Sequence, residues 1–238
     1  MIKAVIFDFG QTLVDSAQGF RSAECEVQKR IYADLGTREW TGFIADYRTI
    51  RKEFHDSSNF SRHDIWNAVY SLYDKNPDKG LLEELEEGYW EKICADTVVF
   101  PETKRVLEIL STRYSLALIT NTQAERRGGS HRIGGFPELA RFFSPIVVAG
   151  EDDIPPKPHP APFLQCLEEL DIAGSEAVYV GDDWNIDMCG ASAVGMHPVW
   201  IQHCTVERTW PVRESTVPVI TSLLALLDLE QLLSRGIK

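Results

Sequence analysis

Paired cysteines, long apolar runs and basic residues in excess are all missing from this sequence, and each absence excludes something. The five cysteines, Cys25, Cys94, Cys166, Cys189 and Cys204, lie far apart, with no C-x-x-C spacing. An odd, scattered set argues against a disulfide framework or a zinc knuckle, and points to reduced thiols in a cytoplasmic protein. No stretch approaches the roughly 18 consecutive apolar residues of a membrane helix. The apolar run before Asp8 is too short for a signal peptide. The leucine-rich tail at 223–233 is interrupted by Asp228 and Glu230, so it reads as an amphipathic packing helix. Basic residues number 24 against 36 acidic ones, a net charge of −12. Such a chain has no broad basic face for nucleic acid. It can still hold a small anionic substrate, which needs only a local positive site.

What is present is a pattern of short apolar runs at 4–7, 116–119, 146–149, 177–180 and 198–201. Each has strand length and lacks alternation, as expected of a parallel sheet buried on both faces. Helical patterns at 102–110, 161–170 and 186–194 separate the later runs, so the fold class is α/β, an open Rossmann-like parallel sheet. From about Gln18 to Ala95 the alternation stops. Amphipathic stretches at 23–35, 41–54, 64–73 and 81–93 read as an inserted helical domain. Residues 1–16 and 96–238 then form the core, and 17–95 the insert. At 238 residues, a core with a smaller inserted domain is a natural division. The stretch 126–135 holds two Gly-Gly pairs with Arg126, Arg127, His131 and Arg132, and reads as a loose segment.

Four places carry residues suited to chemistry. Asp8 ends the first run, where open α/β sheets bind ligands, although a strand end often turns on Asp for no other reason. Asp182, Asp183 and Asp187 crowd after the run at 177–180. Like charges so close raise one another's pKa unless a cation intervenes, and a few carboxylates with waters suit Mg²⁺. The alternative for Asp183 is a plain helix cap. Thr120 and Asn121 place a hydroxyl and an amide at a strand end, able to bind a phosphate oxygen or simply to turn the chain. Lys157 stands between prolines ahead of a helix, a rigid setting for a cation over an anion.

Together these residues resemble the haloacid dehalogenase-like hydrolases, in the branch with a helical cap inserted after the first motif, the phosphoglycolate phosphatase-like one. The resemblance spans nearly the whole chain in order: Asp8-Phe9-Gly10-Gln11-Thr12, then Thr120, then Lys157-Pro158, then Gly181-Asp182-Asp183 with Asp187. It implies a small phosphorylated metabolite as substrate, Asp8 as nucleophile, and Thr120, Asn121 and Lys157 around the phosphoryl group. It also implies Mg²⁺ held by Asp8, the Gly10 carbonyl, Asp182, Asp183 and Asp187, no nucleic-acid or membrane partner, and a monomer or homodimer. One position departs from the pattern. Family phosphatases carry a second aspartate, the general acid/base, where this chain has Gly10. Three readings follow: a phosphatase slowed or restricted to good leaving groups, with His55 or His63 a candidate proton carrier; a 2-haloacid dehalogenase or phosphonate hydrolase; or a catalytically degenerate binding protein. Arg48, Arg51, Arg62 and Trp66 are candidates for substrate contact on the cap.

Overall fold

A computed structural model describes residues 1–37, 39–56, 61–121, 132–151, 153–206, 210–213 and 216–235. The chain divides into two compact units. Among the described residues, one comprises Met1–Asp15 and those from Val98 onward, the other those of Ser16–Thr97.

The first unit is built on β1 (Ala4–Phe7), joined by the brief strands β2 (Val14–Asp15) and β3 (Val98–Val99), then β4 (Ser115–Asn121), β5 (Ile146–Ala149), β6 (Ala177–Gly181), β7 (His197–Ile201) and β8 (Val219–Ile220). Six of these form one sheet in the order β5-β4-β1-β6-β7-β8, with every pairing parallel. The expected α/β parallel sheet is therefore the architecture of this unit. Strand alternation sorts side chains onto two faces. Val5, Phe7, Leu118, Val178 and Val180 pack on one side with α5 (Thr103–Leu110) and the C-terminal leucines. Ile6, Ala117, Ile119 and Tyr179 pack on the other with α7 (Pro160–Leu170) and α8 (Cys189–Ala193). A short α6 (Pro137–Ala140) joins the first side through Leu139. Burial on both faces explains why the sequence runs looked continuous rather than alternating.

Some elements differ from the periodicity. The expected helix at 186–194 is a π-helical turn, Trp184–Met188, running into α8. It opens on Asp183, whose carboxylate caps the amides of Asn185 and Ile186. The leucine-rich tail is a 3₁₀ segment, Leu223–Asp228, before α9 (Leu229–Arg235). Of the stretch 126–135, residues 132–135 are a 3₁₀ turn, and Arg126, Arg127 and His131 lie outside the described residues. The strands β2, β3 and β8 are two residues each, too short to leave a periodic signal.

The second unit is all helical: α1 (Ala17–Leu35), α2 (Trp40–Asp56), α3 (Arg62–Leu72) and α4 (Lys79–Asp96). Its core gathers Ala23, Val27, Ile31, Phe43, Tyr47, Trp66, Val69, Leu85 and Ile93. Gly19 lets α1 and α4 meet closely, since a Cβ there would lie 2.7 Å from the Ile93 carbonyl oxygen. Ser61 and Asp78 cap α3 and α4 through side-chain oxygens, satisfying amides that helices leave open. All five cysteines are free, and no helix among the described residues is long and apolar enough to cross a membrane.

Candidate active site

Parallel strands deliver their successors to one edge of a sheet, and here that edge is polar. Asp8 follows β1, Thr120 and Asn121 close β4, and Asp182 follows β6. In the sheet β1 lies between β4 and β6, so residues distant in sequence become neighbours. Asp8, Asp182 and Asp187 are all buried, and each offers an oxygen within 4.8 Å of the others.

Lys157 is the pivot. Its Nζ donates to Asp8 Oδ1 at 2.8 Å and to Asp187 Oδ1 at 2.7 Å. The Ile119 carbonyl at 3.1 Å and the Tyr179 hydroxyl at 2.8 Å share its third proton. Its side chain is 1% exposed, so the ammonium has left water and must find its partners in protein. Burial pulls its pKa down, but Asp187 and Asp8 outweigh burial and hold it above the ordinary lysine value. For Asp187 burial pushes the pKa up to about 6, with Lys157 opposing and Asp8 adding to the rise. Three carboxylates against one ammonium leave a formal charge of −2 in a buried space. A hard divalent cation with oxygen donors fits that set, because it cancels the excess that burial makes costly.

Asn121 holds the main chain of the lysine. Its Oδ1 accepts from Lys157 N at 2.8 Å and its Nδ2 donates to Lys157 O at 3.1 Å, so both ends of the amide are engaged. Asp183 likewise stands apart from the three clustered carboxylates, with Oδ1 bound to the two capped amides. Its backbone amide does a separate job: Asp183 N donates to Asp187 Oδ2 at 3.0 Å, which fixes the turn carrying Asp187. Thr120 is buried at the end of β4. Gly10 lies in the loop after β1 and bridges to Val14, while Gln11 N donates to Val14 O at 2.8 Å.

Two residues that the sequence reading passed over support this arrangement. Tyr179 donates through its hydroxyl to Ile119 O or Asp187 Oδ1, both at 3.2 Å, beneath Lys157. Burial, and then Asp187, raise its pKa well above the ordinary tyrosine value, so the phenol stays neutral. A tyrosine inside an otherwise aliphatic buried strand was the available signal, because a buried phenol needs a partner. His203 is 3% exposed and stacks on Phe100 at 3.6 Å between centroids. Its Nε2 donates to the Thr12 carbonyl at 3.0 Å, and Thr103 Oγ1 and Phe100 N donate to Leu13 O, so the loop after Asp8 is tied down from several sides. Nothing in the sequence around His203 pointed there.

The remaining candidates belong to the helical unit. His63 Nε2 lies 2.8 Å from the Glu86 carboxylate, and the Arg62 guanidinium stacks 4.5 Å from both the Tyr89 and Trp90 rings. His55, Arg48, Arg51 and Trp66 line a cavity of that unit.

Residues 2–195 match the profile of a hydrolase family, the haloacid dehalogenase-like hydrolases. The chain is 27% identical over 206 residues to a ribulose-1,5-bisphosphate 5-phosphatase from Halopiger xanaduensis, covering 84% of each. It is 25% identical over 225 residues to a glyceraldehyde 3-phosphate phosphatase from Methanopyrus kandleri, covering 92% of this chain and 91% of that one. Among solved structures, a 2-haloacid dehalogenase from Pseudomonas syringae superposes with a TM-score of 0.66, at 26% identity and 99% coverage of both chains.

Proposed function

The chain belongs to the haloacid dehalogenase-like hydrolase family, and from that premise we propose that it is a Mg²⁺-dependent phosphatase of a small phosphorylated metabolite. Asp8 attacks phosphorus, the bond to the leaving oxygen breaks, and an aspartyl-phosphate forms on Asp8. Water then attacks that phosphorus, releasing inorganic phosphate and returning the Asp8 carboxylate. Covalent capture splits one difficult displacement into two easier ones. The single observation carrying this reading is Lys157 Nζ bonded at once to Asp8 and Asp187 beside Asp182. That contact holds the nucleophile's carboxylate in one orientation and keeps a positive charge where the phosphoryl oxygens gather negative charge. Thr120 binds a phosphoryl oxygen through its hydroxyl, and Asn121 positions Lys157 by gripping its main chain. Asp8, Asp182, Asp187 and the Gly10 carbonyl would hold Mg²⁺, with the Asp183 backbone amide holding Asp187 in place. The metal, when bound, supplies charge neutralisation for an anionic substrate among carboxylates. The helical insert serves as the cap, and small phosphorylated metabolites are what relatives of this length are named for.

With glycine at position 10, no carboxylate at that place protonates the departing alcohol. Such a group contributes about 10²–10⁴-fold, so substrates with good leaving groups, such as acyl or aryl phosphates, should turn over best. The test is hydrolysis of a panel of alkyl, aryl and acyl phosphates with and without Mg²⁺. Activity that needs Mg²⁺ and falls as the leaving group worsens is the expected result. Inactivity across the panel, with no Mg²⁺ bound by calorimetry, overturns it. A second reading is favoured by Gly10 together with the likeness to the 2-haloacid dehalogenase: halide departs without an acid. Metal-independent halide release from 2-chloropropionate would establish that chemistry in place of the first.

A further inference from the structure

The helical unit contains a cavity of about 570 Å³, lined from all four of its helices. That volume suits a small metabolite. Its polar lining follows helical spacing. Arg21, Glu24, Cys25 and Gln28 share one face of α1, and Arg48, Arg51 and His55 share one face of α2. Arg21, Arg48 and Arg51 stand at exposed positions, so the cavity opens to solvent and its mouth gathers arginines from two helices.

The charges around the cavity are unevenly paired. Arg51 lies 3.5 Å from Glu24, and Arg62 lies 3.6 Å from Glu86. Arg21 hydrogen-bonds only to the neutral amide of Gln18, and Arg48 has no ion pair among the described residues. Two lining arginines therefore carry charge that no described carboxylate offsets, in a chain whose net charge is −12. His55, on the same wall, is held below the ordinary histidine pKa by burial and then by Arg51, with Glu24 and Asp56 opposing. Phe20, Trp66 and Tyr89 give the same cavity an aromatic side.

We propose that this cavity binds a small organic dianion, with a phosphate or paired-carboxylate head on Arg21 and Arg48 and its uncharged body against Phe20, Trp66 and Tyr89. Guanidinium forks suit both heads, since each presents two oxygens to parallel N–H donors. The assignment stands on the helical unit alone and does not depend on the phosphatase reading.

The test is calorimetric titration of the full chain in low salt, stripped of metal on a chelating resin, where the acidic core site repels anions. Malate and methyl phosphate distinguish the two heads, and threitol is the neutral control. Saturable binding of at least one dianion and none of threitol is expected. Arg21→Ala and Arg48→Ala should each weaken it by about ten- to a hundredfold, Arg48→Lys should retain part of it, and Asp8→Asn should leave it unchanged. Absence of saturable binding by either dianion at millimolar concentration overturns the proposal. So does binding that survives unchanged in the Arg21→Ala/Arg48→Ala double variant, whose fold is checked by circular dichroism. Should that variant not fold, Arg48→Gln alone carries the same decision.

Discussion

The two units gather opposite charge, one in a buried cluster and the other at an open cavity, and they hold it in different ways. The core unit sets Asp8, Asp182 and Asp187 against Lys157 at the ends of buried strands, with both Lys157 and Asp187 almost wholly out of water. The helical unit sets arginines along helix faces, with Arg51 44% exposed at its side chain. Coulomb interactions in the first place are barely screened; in the second, water and salt weaken them. Removing one charge from the core cluster therefore strands its partners, whereas removing one from the helical cavity leaves the others hydrated. Equal formal charge does not mean equal consequence.

That contrast can be broken by experiment. The largest effect should come from Asp8→Asn, which removes the proposed nucleophile: phosphate release should fall by on the order of 10³-fold or more. Dianion binding in the helical cavity should not move, and a shared loss would mean that the two regions act as one. Next comes Lys157→Met, which leaves buried carboxylates without their ammonium. Urea unfolding in metal-free buffer should report a loss of about 3–5 kcal/mol. Arg48→Ala, measured alongside, should stay within about 0.5 kcal/mol of the parent. Comparable losses at the two positions would remove the distinction between buried and hydrated charge.

Adding charge to the core rather than removing it gives a third test. Gly10→Asp should raise turnover of ordinary alkyl phosphates by about 10²-fold, read as kcat under saturating Mg²⁺. A flat or lower rate would show that something other than the absent carboxylate limits the reaction. Mg²⁺ itself should stabilise the protein by about 2.7 kcal/mol at a hundredfold excess over its Kd. The thermal midpoint should rise accordingly, and Asp182→Asn should lose most of that rise while Arg48→Ala keeps it. The smallest effect is steric. A Cβ at position 181 would stand 2.5 Å from the Asp187 carboxylate carbon. Gly181→Ala should then destabilise the fold by about 1–3 kcal/mol and weaken Mg²⁺ binding in the same titration.

The strands of the core sheet were legible because burial on both faces writes itself as aliphatic runs; β1 and β5 have the bounds those runs predict. The four helices of the second unit were legible from their period, although each extends beyond its apolar stripe, as caps such as Ser61 and Asp78 permit. The turn at Trp184–Met188 was not legible: its form depends on Asp183 capping two amides while its own amide holds Asp187. That geometry is a matter of which neighbour accepts which proton.

By itself, then, the sequence determined the order of elements, the residue types able to bind phosphate and metal, and the missing carboxylate at Gly10. These are local properties, carried by periodicity and by side-chain chemistry. The tertiary structure alone decided that Asn121 grips the Lys157 backbone, that Tyr179 sits under the ammonium, and that Asp183 caps while Asp187 joins the cluster. It also brought arginines from three helices around one cavity. The reason is physical: a buried polar group must be partnered, and a partner more than a hundred residues away becomes visible only when the sheet lays Asp8 beside Lys157.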